Sequence, residues 1–269
     1  MTQILSSISH SLYLIMQYGQ CQLSIVPVRA DHADHAEMVT QVLFGEVFLV
    51  LEKHHQWRKI RMAHDEYEGW IDEKQMIEIE EEDFNEIIEE KAHSYAITEE
   101  VSSSERMLHI TKGSLIPYYK DQHFYIGKEK FEMDSFPYLK HKVDRSDLKE
   151  IALSYIEAPN LWGGRTPFGI DCSGFSQIVY KIAGIKIKRD ASQQVKEGKQ
   201  IDLMYANTGD LAFFINDNEK IHHVGILLDE HTIIHAAGKI RIDKLDEKGI
   251  YNKERDEYTH RLYTINTYL

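Results

Sequence analysis

A glycine-rich loop that runs directly into an apolar helix is the feature that most constrains the fold of this chain. The loop reads Leu-Trp-Gly-Gly-Arg over residues 161–165 and continues as Gly-Ile-Asp-Cys-Ser-Gly-Phe over residues 169–175. Apolar residues then recur at helical spacing up to Ile182, and Gly184 is a typical helix stop. Cys172 is therefore predicted in the first turn of a buried helix, where backbone N–H groups and the helix dipole favour a reactive thiolate.

A cysteine at a helix start, taken alone, is more often a small core residue than a nucleophile. A nucleophilic cysteine also needs a histidine base and a polar group that orients this base. His222 and His223 lie in an apolar, strand-like run over residues 221–228, and His235 lies in a second such run over residues 232–238. Two adjacent strands of a hairpin would place His223 beside the helix start and His235 behind it.

These blocks resemble those of the NlpC-type cell-wall cysteine peptidases, a papain-like family. The resemblance covers residues 145–269 and rests on three blocks in the family's order: Trp-Gly-Gly with Asp-Cys-Ser-Gly-Phe, then His-Val-Gly-Ile, then His-Ala-Ala-Gly. It implies that Cys172 is the nucleophile, that His223 is the base and that His235 orients the base. His222 is the competing candidate for the base, and His223 is preferred because it directly precedes Val224, as in the family. No metal or organic cofactor is implied.

Three further residues near the cysteine are assigned to the site. The family usually carries a tyrosine two residues before the Trp-Gly-Gly block, where this chain has Asn160. Either the Asn160 amide helps to stabilise the oxyanion, or the backbone N–H of Cys172 contributes more of that stabilisation. Trp162 is interpreted as a core aromatic or as a wall of the substrate groove, and Ser173 is assigned to substrate binding.

The charge of the chain restricts its partners. Acidic residues outnumber basic ones, 44 against 31, for a net charge of −13, which argues against nonspecific binding to nucleic acid or anionic membranes. Two cysteines argue against a disulfide framework. No lysine or arginine precedes Arg29 to form the basic part of a leader, and no apolar run approaches the length of a membrane span. We therefore expect a cytoplasmic protein.

The N-terminal part is predicted to be all-β. Short strand-like runs joined by turns fill residues 17–80, and their order resembles a bacterial SH3-like domain. Residues 81–91 are expected to form an acidic linker. A second SH3-like barrel is predicted over residues 92–143, because Gly113-Ser114-Leu115-Ile116 is similar to Gly45-Glu46-Val47-Phe48.

Residues 144–269 are predicted to form the catalytic domain. A first helix is expected over residues 146–156 with Ser146 as its N-cap, followed by the Cys172 helix and then by antiparallel strands. Helices that precede a set of antiparallel strands indicate an α+β fold.

Two SH3-like barrels before this catalytic domain resemble the γ-D-glutamyl-L-diamino-acid peptidases. The resemblance implies hydrolysis of the γ-D-glutamyl-diamino acid bond in muropeptides that carry a free N-terminal L-alanine, as in recycling of wall peptides. It further implies that Glu46 and Tyr67 of the first barrel, together with Asp190, hold the substrate amine. Asp190 is also predicted to be a helix N-cap, with Gln193 as its capping-box partner.

Three other functions stay open at this point. The chain could be a non-catalytic wall-binding protein that uses only its SH3-like domains. It could carry a zinc site built from Cys172, His222, His223 and His235. It could also be another papain-like amidase or an acyltransferase, because one fold hosts several reactions.

Overall fold

The computed structural model describes residues 16–139 and 144–269. Residues 140–143, at the end of the predicted second barrel, lie outside these ranges. The described chain forms sheets of seven, four, two and seven strands, and the predicted α+β class is confirmed. None of the helices in the two ranges is long and apolar enough to cross a lipid bilayer. The helices are α1 (Glu81–Ile87), α2 (Arg145–Leu153), α3 (Cys172–Ile182) and α4 (Ala191–Gln194), with short 3₁₀ turns at Glu73–Gln75 and Leu203–Tyr205.

The first seven strands form one antiparallel sheet that closes around a small apolar core. Alternate residues of its strands point inward, as Val26 and Val28 do beside Phe48 and Ile60. The strand order is β3-β2-β6-β5-β4-β1-β7. The strands are β1 (Gln17–Cys21), β2 (Ile25–Arg29), β3 (Met38–Leu43), β4 (Val47–His54), β5 (Trp57–Met62), β6 (Glu68–Asp72) and β7 (Met76–Ile79).

The second sheet has four antiparallel strands in the order β10-β11-β8-β9. Phe124 and Phe131 of the second domain stack on each other, and Phe44 of the first packs edge-to-face against both, with ring centroids 5.9 and 5.7 Å away. The two domains therefore share a core. The two turns that suggested an internal repeat have the same backbone form, with φ of +82° at Gly45 and +86° at Gly113. The strands are β8 (Thr98–Ser102), β9 (Met107–Thr111), β10 (His123–Ile126) and β11 (Glu129–Glu132).

The acidic segment between these sheets is structured, unlike a simple linker. Its carboxylates face solvent, whereas Phe84 and Ile87 of α1 are buried against Val47 and Leu115, one residue from each N-terminal domain. The helix therefore packs where the two domains meet.

In the C-terminal domain, α3 packs against α2 on one side and against the central strands β16 and β17 on the other. Phe175 and Ile178 of α3 meet Val224 and Ile234 of these strands in the largest apolar cluster. The sheet order is β14-β20-β15-β16-β17-β18-β19. The strands are β12 (Arg165–Thr166), β13 (Gly169–Ile170), β14 (Lys199–Ile201), β15 (Leu211–Ile215), β16 (Ile221–Leu227), β17 (Thr232–Ala237), β18 (Lys239–Asp246), β19 (Gly249–Asn252) and β20 (Glu257–Thr267).

The prediction that Ser146 caps α2 is wrong. Asp144 is the N-cap: its carboxylate accepts the N–H groups of Ser146 and Asp147 at 2.8 and 3.1 Å. The Asp147 carboxylate in turn accepts the Asp144 N–H at 2.8 Å, which completes a capping box. Ser146 lies inside the first turn of the helix.

Candidate active site

Asp171 holds the glycine-rich loop against the start of α3. Its Oδ1 accepts the N–H of Gly174 at 2.7 Å as the helix N-cap, and its Oδ2 accepts the N–H of Gly163 at 2.8 Å. Gly163 has φ of +76°, and a Cβ there would lie 2.3 Å from the carbonyl oxygen of Met38. Only glycine therefore fits at this point between the loop and the first barrel.

Arg189 fixes Asp171 from the other side. Its guanidinium is 1% exposed and donates to both carboxylate oxygens of Asp171, at 2.9 and 2.5 Å. It also donates to the hydroxyl groups of Ser173 at 3.0 Å and of Thr40 at 2.9 Å. The Ser173 hydroxyl is thus engaged in the protein, and its predicted role as a substrate-binding side chain needs correction. Neither Asp171 nor Arg189 was identified as a site residue from the sequence.

Cys172 opens α3 as predicted. Its Sγ accepts hydrogen bonds from the backbone N–H groups of Val224 and Ser173. Burial nevertheless raises the pKa of the Cys172 thiol to about 11, and the Asp171 carboxylate adds to this rise. Burial therefore outweighs the backbone N–H groups and favours the neutral thiol over the expected thiolate. The thiol needs a base before it can attack.

A chain of hydrogen bonds leads from His223 away from the helix. His223 Nε2 lies 2.9 Å from His235 Nδ1, and His235 Nε2 lies 3.1 Å from a carboxylate oxygen of Asp243. Arg241 donates to both oxygens of Asp243, at 2.7 and 3.0 Å. Burial raises the pKa of Asp243, but the hydrogen bonds from His235 and Arg241 outweigh it and hold that pKa below its usual range.

These contacts assign the protons of both imidazoles. An ionised carboxylate only accepts, so His235 carries its proton on Nε2 and accepts at Nδ1. His223 must then donate from Nε2, which leaves the lone pair on Nδ1. Burial, together with the neighbouring histidines, holds the pKa of His223 well below its usual value, so this ring is a neutral base. Asp243 and Arg241 are site residues that sequence reasoning missed.

His222 lies apart from this chain. Its side chain is exposed and stacks on the ring of His260, with centroids 5.6 Å apart. His223 is buried, contacts His235 and immediately precedes Val224, whose N–H donates to Cys172. The structure therefore favours His223 over His222 as the base.

Asn160 and Trp162 both lie on the surface beside the loop. The backbone N–H of Asn160 donates to the carbonyl of Gly238 at 3.0 Å. The side chain of Asn160 is exposed, and its role in stabilising the oxyanion stays a prediction. Trp162 is 73% exposed, so the interpretation as a core aromatic is wrong. Its Nε1 donates to a carboxylate oxygen of Glu37 in the first domain at 2.5 Å.

The prediction that Glu46 binds the substrate amine also needs correction. Glu46 is 3% exposed, and its carboxylate accepts from Arg165 at 2.9 and 3.0 Å, from Lys181 at 2.6 Å and from the N–H of Leu43 at 2.8 Å. Both oxygens are already engaged in this buried network between the first and the catalytic domain. The carboxylate therefore has no acceptor left for a ligand.

Tyr67 and Asp190 do meet at the same domain boundary. The Tyr67 hydroxyl donates to the Asp190 carboxylate, and both side chains are half-buried. Gln193 Oε1 accepts the Asp190 N–H at 3.1 Å, which is the half of the predicted capping box that the side chain of Gln193 supplies. Asp190 directly follows Arg189, which binds Asp171 at the start of α3. The Tyr67–Asp190 pair is therefore linked to the start of α3 through Arg189. Glu37, which accepts from Trp162, is a contact between the first domain and the glycine-rich loop that the sequence did not predict.

Comparisons with known proteins agree with this geometry. The NlpC/P60 family profile matches residues 157–257, and that of the bacterial dipeptidyl-peptidase Sh3 domain matches residues 28–76. The gamma-D-glutamyl-L-lysine dipeptidyl-peptidase of Bacillus subtilis is 30% identical over 235 residues, which cover 80% of this chain and 78% of the relative. The chain belongs to the NlpC/P60 family. As an NlpC/P60 protein with a cysteine at the start of α3, it is a cysteine peptidase.

Two further comparisons extend over most of the chain. Dipeptidyl-peptidase 6 of Lysinibacillus sphaericus is 28% identical over 252 residues, covering 80% of this chain and 86% of that protein. The crystal structure of an NlpC/P60 family protein from Bacillus cereus superposes with a TM-score of 0.77 and covers 94% of this chain and 99% of its own, at 19% identity. This neighbour shows the same fold through the two N-terminal domains as well as the catalytic domain.

Proposed function

We propose that this peptidase hydrolyses the γ-D-glutamyl-L-diamino acid bond of muropeptides whose N-terminal L-alanine is free. The observation that carries the proposal is the Tyr67–Asp190 pair, which joins the first domain to the catalytic domain. This pair lies beside Arg189, which in turn binds the N-cap of the Cys172 helix. The printed name of the Bacillus subtilis relative, a γ-D-glutamyl-L-lysine dipeptidyl-peptidase, supports the same bond type.

The residues supply a complete acyl-transfer sequence. His223 Nδ1 takes the proton of Cys172, and Sγ attacks the γ-carbonyl carbon of D-glutamate. The backbone N–H of Cys172, at the start of α3, stabilises the oxyanion, with the Asn160 amide as a second donor. His223 then gives its proton to the leaving amine of the diamino acid as the C–N bond breaks. His223 next takes a proton from water as the water oxygen attacks the thioester. When the C–S bond breaks, His223 returns this proton to Sγ, and L-Ala-γ-D-Glu leaves with the thiol and the neutral base restored.

Recognition of the amine follows from the charge at the domain boundary. Burial raises the pKa of Asp190, since its charge lacks full solvation there. A substrate ammonium would add a second positive partner to that of Arg189 and gain a charge-assisted hydrogen bond of about 1.5–3 kcal/mol. An acylated amine would lose the bond and collide with the first domain.

The test compares kcat/KM for L-Ala-γ-D-Glu-diaminopimelate with that for its N-acetylated form, and product masses identify the bond cut. We expect strong preference for the free amine in the wild type and a much smaller preference in Asp190→Asn. Glu230→Gln, which changes an exposed carboxylate of the same domain, is the matched control and should keep the preference. Equal rates for the two substrates in the wild type would contradict the proposal.

We further propose that the protein acts in the cytoplasm on released wall peptides. A free N-terminal alanine arises only after the peptide has been cut from its glycan, so the proposed selectivity suits recycling. Both cysteines are free, which suits a reducing compartment. Fractionation of the native host with detection of this chain tests the location, and its recovery from the wall fraction would contradict it.

A further inference from the structure

Three imidazoles converge behind the helix that carries Cys172. Within residues 16–139 and 144–269, His223, His235 and His260 each offer one ring nitrogen, and these three atoms lie within 4.8 Å of one another. His223 and His235 are buried, and His260 of β20 is half-buried with its ring 4.2 Å from that of His223, centroid to centroid. The hydrolytic steps above use the first two histidines and leave His260 without a part.

The outer nitrogens of two of these rings are already held by the protein. His235 donates from Nε2 to the Asp243 carboxylate, and His260 Nδ1 lies 2.9 Å from the hydroxyl oxygen of Thr259. Metal-bound histidines usually donate their second ring nitrogen in this manner, because the contact fixes the tautomer and aims the lone pair. The same contacts leave His235 Nδ1 and His260 Nε2 as the acceptors of their rings.

We propose that His223, His235 and His260 form an inhibitory Zn²⁺ site. Three imidazoles with a water as the fourth ligand are a common zinc environment. A surface cavity of about 310 Å³ is lined by both His235 and His260 and gives a hydrated ion a path to the cluster. Among the described residues, Cys172 lies outside the set of ligand atoms that converge here.

Zinc at this position would stop the reaction without touching the nucleophile. The ion takes Nε2 of His223, so it replaces the 2.9 Å hydrogen bond to His235. The Nε2 proton leaves to solvent, and the neutral ring then carries a solvent-derived proton on Nδ1. That nitrogen can no longer accept the proton of Cys172. The inhibition rests on the proposed role of His223, whereas zinc binding itself does not.

Calorimetric titration of the full chain, freed of metal with EDTA, measures the binding step with Zn²⁺ alone. We expect one Zn²⁺ site in the wild type. In His260→Gln the affinity for Zn²⁺ should fall by about 100-fold or more, because loss of a direct ligand should cost at least as much as loss of a group that only orients a ligand. His222→Gln is the matched control, because His222 stacks on His260 but lies outside the cluster. Absence of binding in the wild type, or equal affinity in His260→Gln, would overturn the site.

Co²⁺ in place of Zn²⁺ reports the ligands in the wild-type chain and does not depend on any variant folding. We expect a tetrahedral spectrum without a sulfur-to-cobalt charge-transfer band, and the same spectrum in Cys172→Ala. A band that disappears in Cys172→Ala would overturn the all-nitrogen site.

Peptidase assays with added Zn²⁺ should show inhibition that EDTA reverses. Zinc that binds while the enzyme keeps its full activity would overturn the inhibitory role. Failure of the proposed peptidase activity would leave both binding measurements intact.

Discussion

Arg165 of the catalytic domain donates two hydrogen bonds to Glu46 of the first domain, at 2.9 and 3.0 Å, and both side chains are almost fully buried. Lys181 adds a third contact to the same carboxylate at 2.6 Å. Burial alone would raise the pKa of Glu46, but these two cations outweigh it and hold that pKa well below its usual range. This buried network joins the first domain to the catalytic domain, and each of its charges is stabilised by the opposite charge from the other domain.

The first prediction concerns stability. Glu46→Gln should lower the free energy of unfolding by about 3–5 kcal/mol at neutral pH, because it leaves Arg165 and Lys181 buried without their partner. The folded pKa of Glu46 is depressed, so its stabilisation is complete above the unfolded pKa of about 4.3 and is lost as pH falls toward the folded value. Denaturant unfolding across this pH range should show the difference between wild type and variant shrinking on acidification. Glu157→Gln, at an exposed pair with Lys239, should change little at any pH.

The second prediction separates the two adjacent histidines. His223→Ala should reduce kcat/KM by about 10²–10⁴-fold, the usual contribution of a general acid and base. His222→Ala, which removes an exposed ring one residue away, should change kcat/KM only slightly. Steady-state kinetics with one muropeptide substrate measures both. The reverse ranking would move the base to His222.

A third prediction concerns Asp243 as a positioning residue. Asp243→Ala removes the group that keeps the His235 proton on Nε2, so His223 loses the partner that holds its own tautomer. We expect kcat to fall by about 10²-fold with little change in KM. The loss should be less than the ~10⁴-fold seen where a carboxylate contacts the base directly, since His235 lies between. The decisive measurement is the pH profile of kcat, which should shift in Asp243→Ala. It would not shift if Asp243 served only packing.

The fourth prediction is that binding of the substrate amine depends on pH through the protonation of Asp190. Burial raises the pKa of Asp190, so protonation of this carboxylate begins at a higher pH than for an ordinary aspartate. For the free-amine peptide, kcat/KM should fall as pH decreases through that raised value, through an increase in KM. Asp190→Asn should remove this acidic limb, and the N-acetylated peptide should lack it in the wild type. A limb of the same shape for both peptides would assign it to another group, such as His223.

Local sequence patterns predicted the parts of the site that are held by neighbouring residues in the chain. The helical spacing after Cys172 and the glycine stop at Gly184 correspond to α3, because buried stripes and caps are local properties. The two short apolar runs correspond to β16 and β17, which bring His223 and His235 together as adjacent antiparallel strands do.

Residues whose role depends on distant partners were predicted poorly. Glu46 meets Arg165 and Lys181 across 119 and 135 residues, and nothing around Glu46 in the sequence marks it as buried rather than as a ligand. The exposure of Trp162 likewise depends on the first domain, where Glu37 lies 125 residues earlier in the chain. Asp243 was missed because its neighbours in the sequence carry no family block. It lies on the strand next to His235, two residues beyond Arg241, which is the direct partner of His235 in the register.

The loop that leads to Cys172 takes part of its shape from a different domain. The side chain of Gln41 accepts the N–H of Arg165 at 2.7 Å, and its carbonyl accepts from the Arg165 guanidinium at 2.7 Å. Gly163 packs directly on the backbone of Met38 in the same strand. The catalytic domain of this chain therefore depends on the first domain for the shape of the loop that precedes Cys172. Joined to an unrelated partner, residues 144–269 would keep their nucleophile but lose the contacts with Met38 and Gln41 that shape the loop before it.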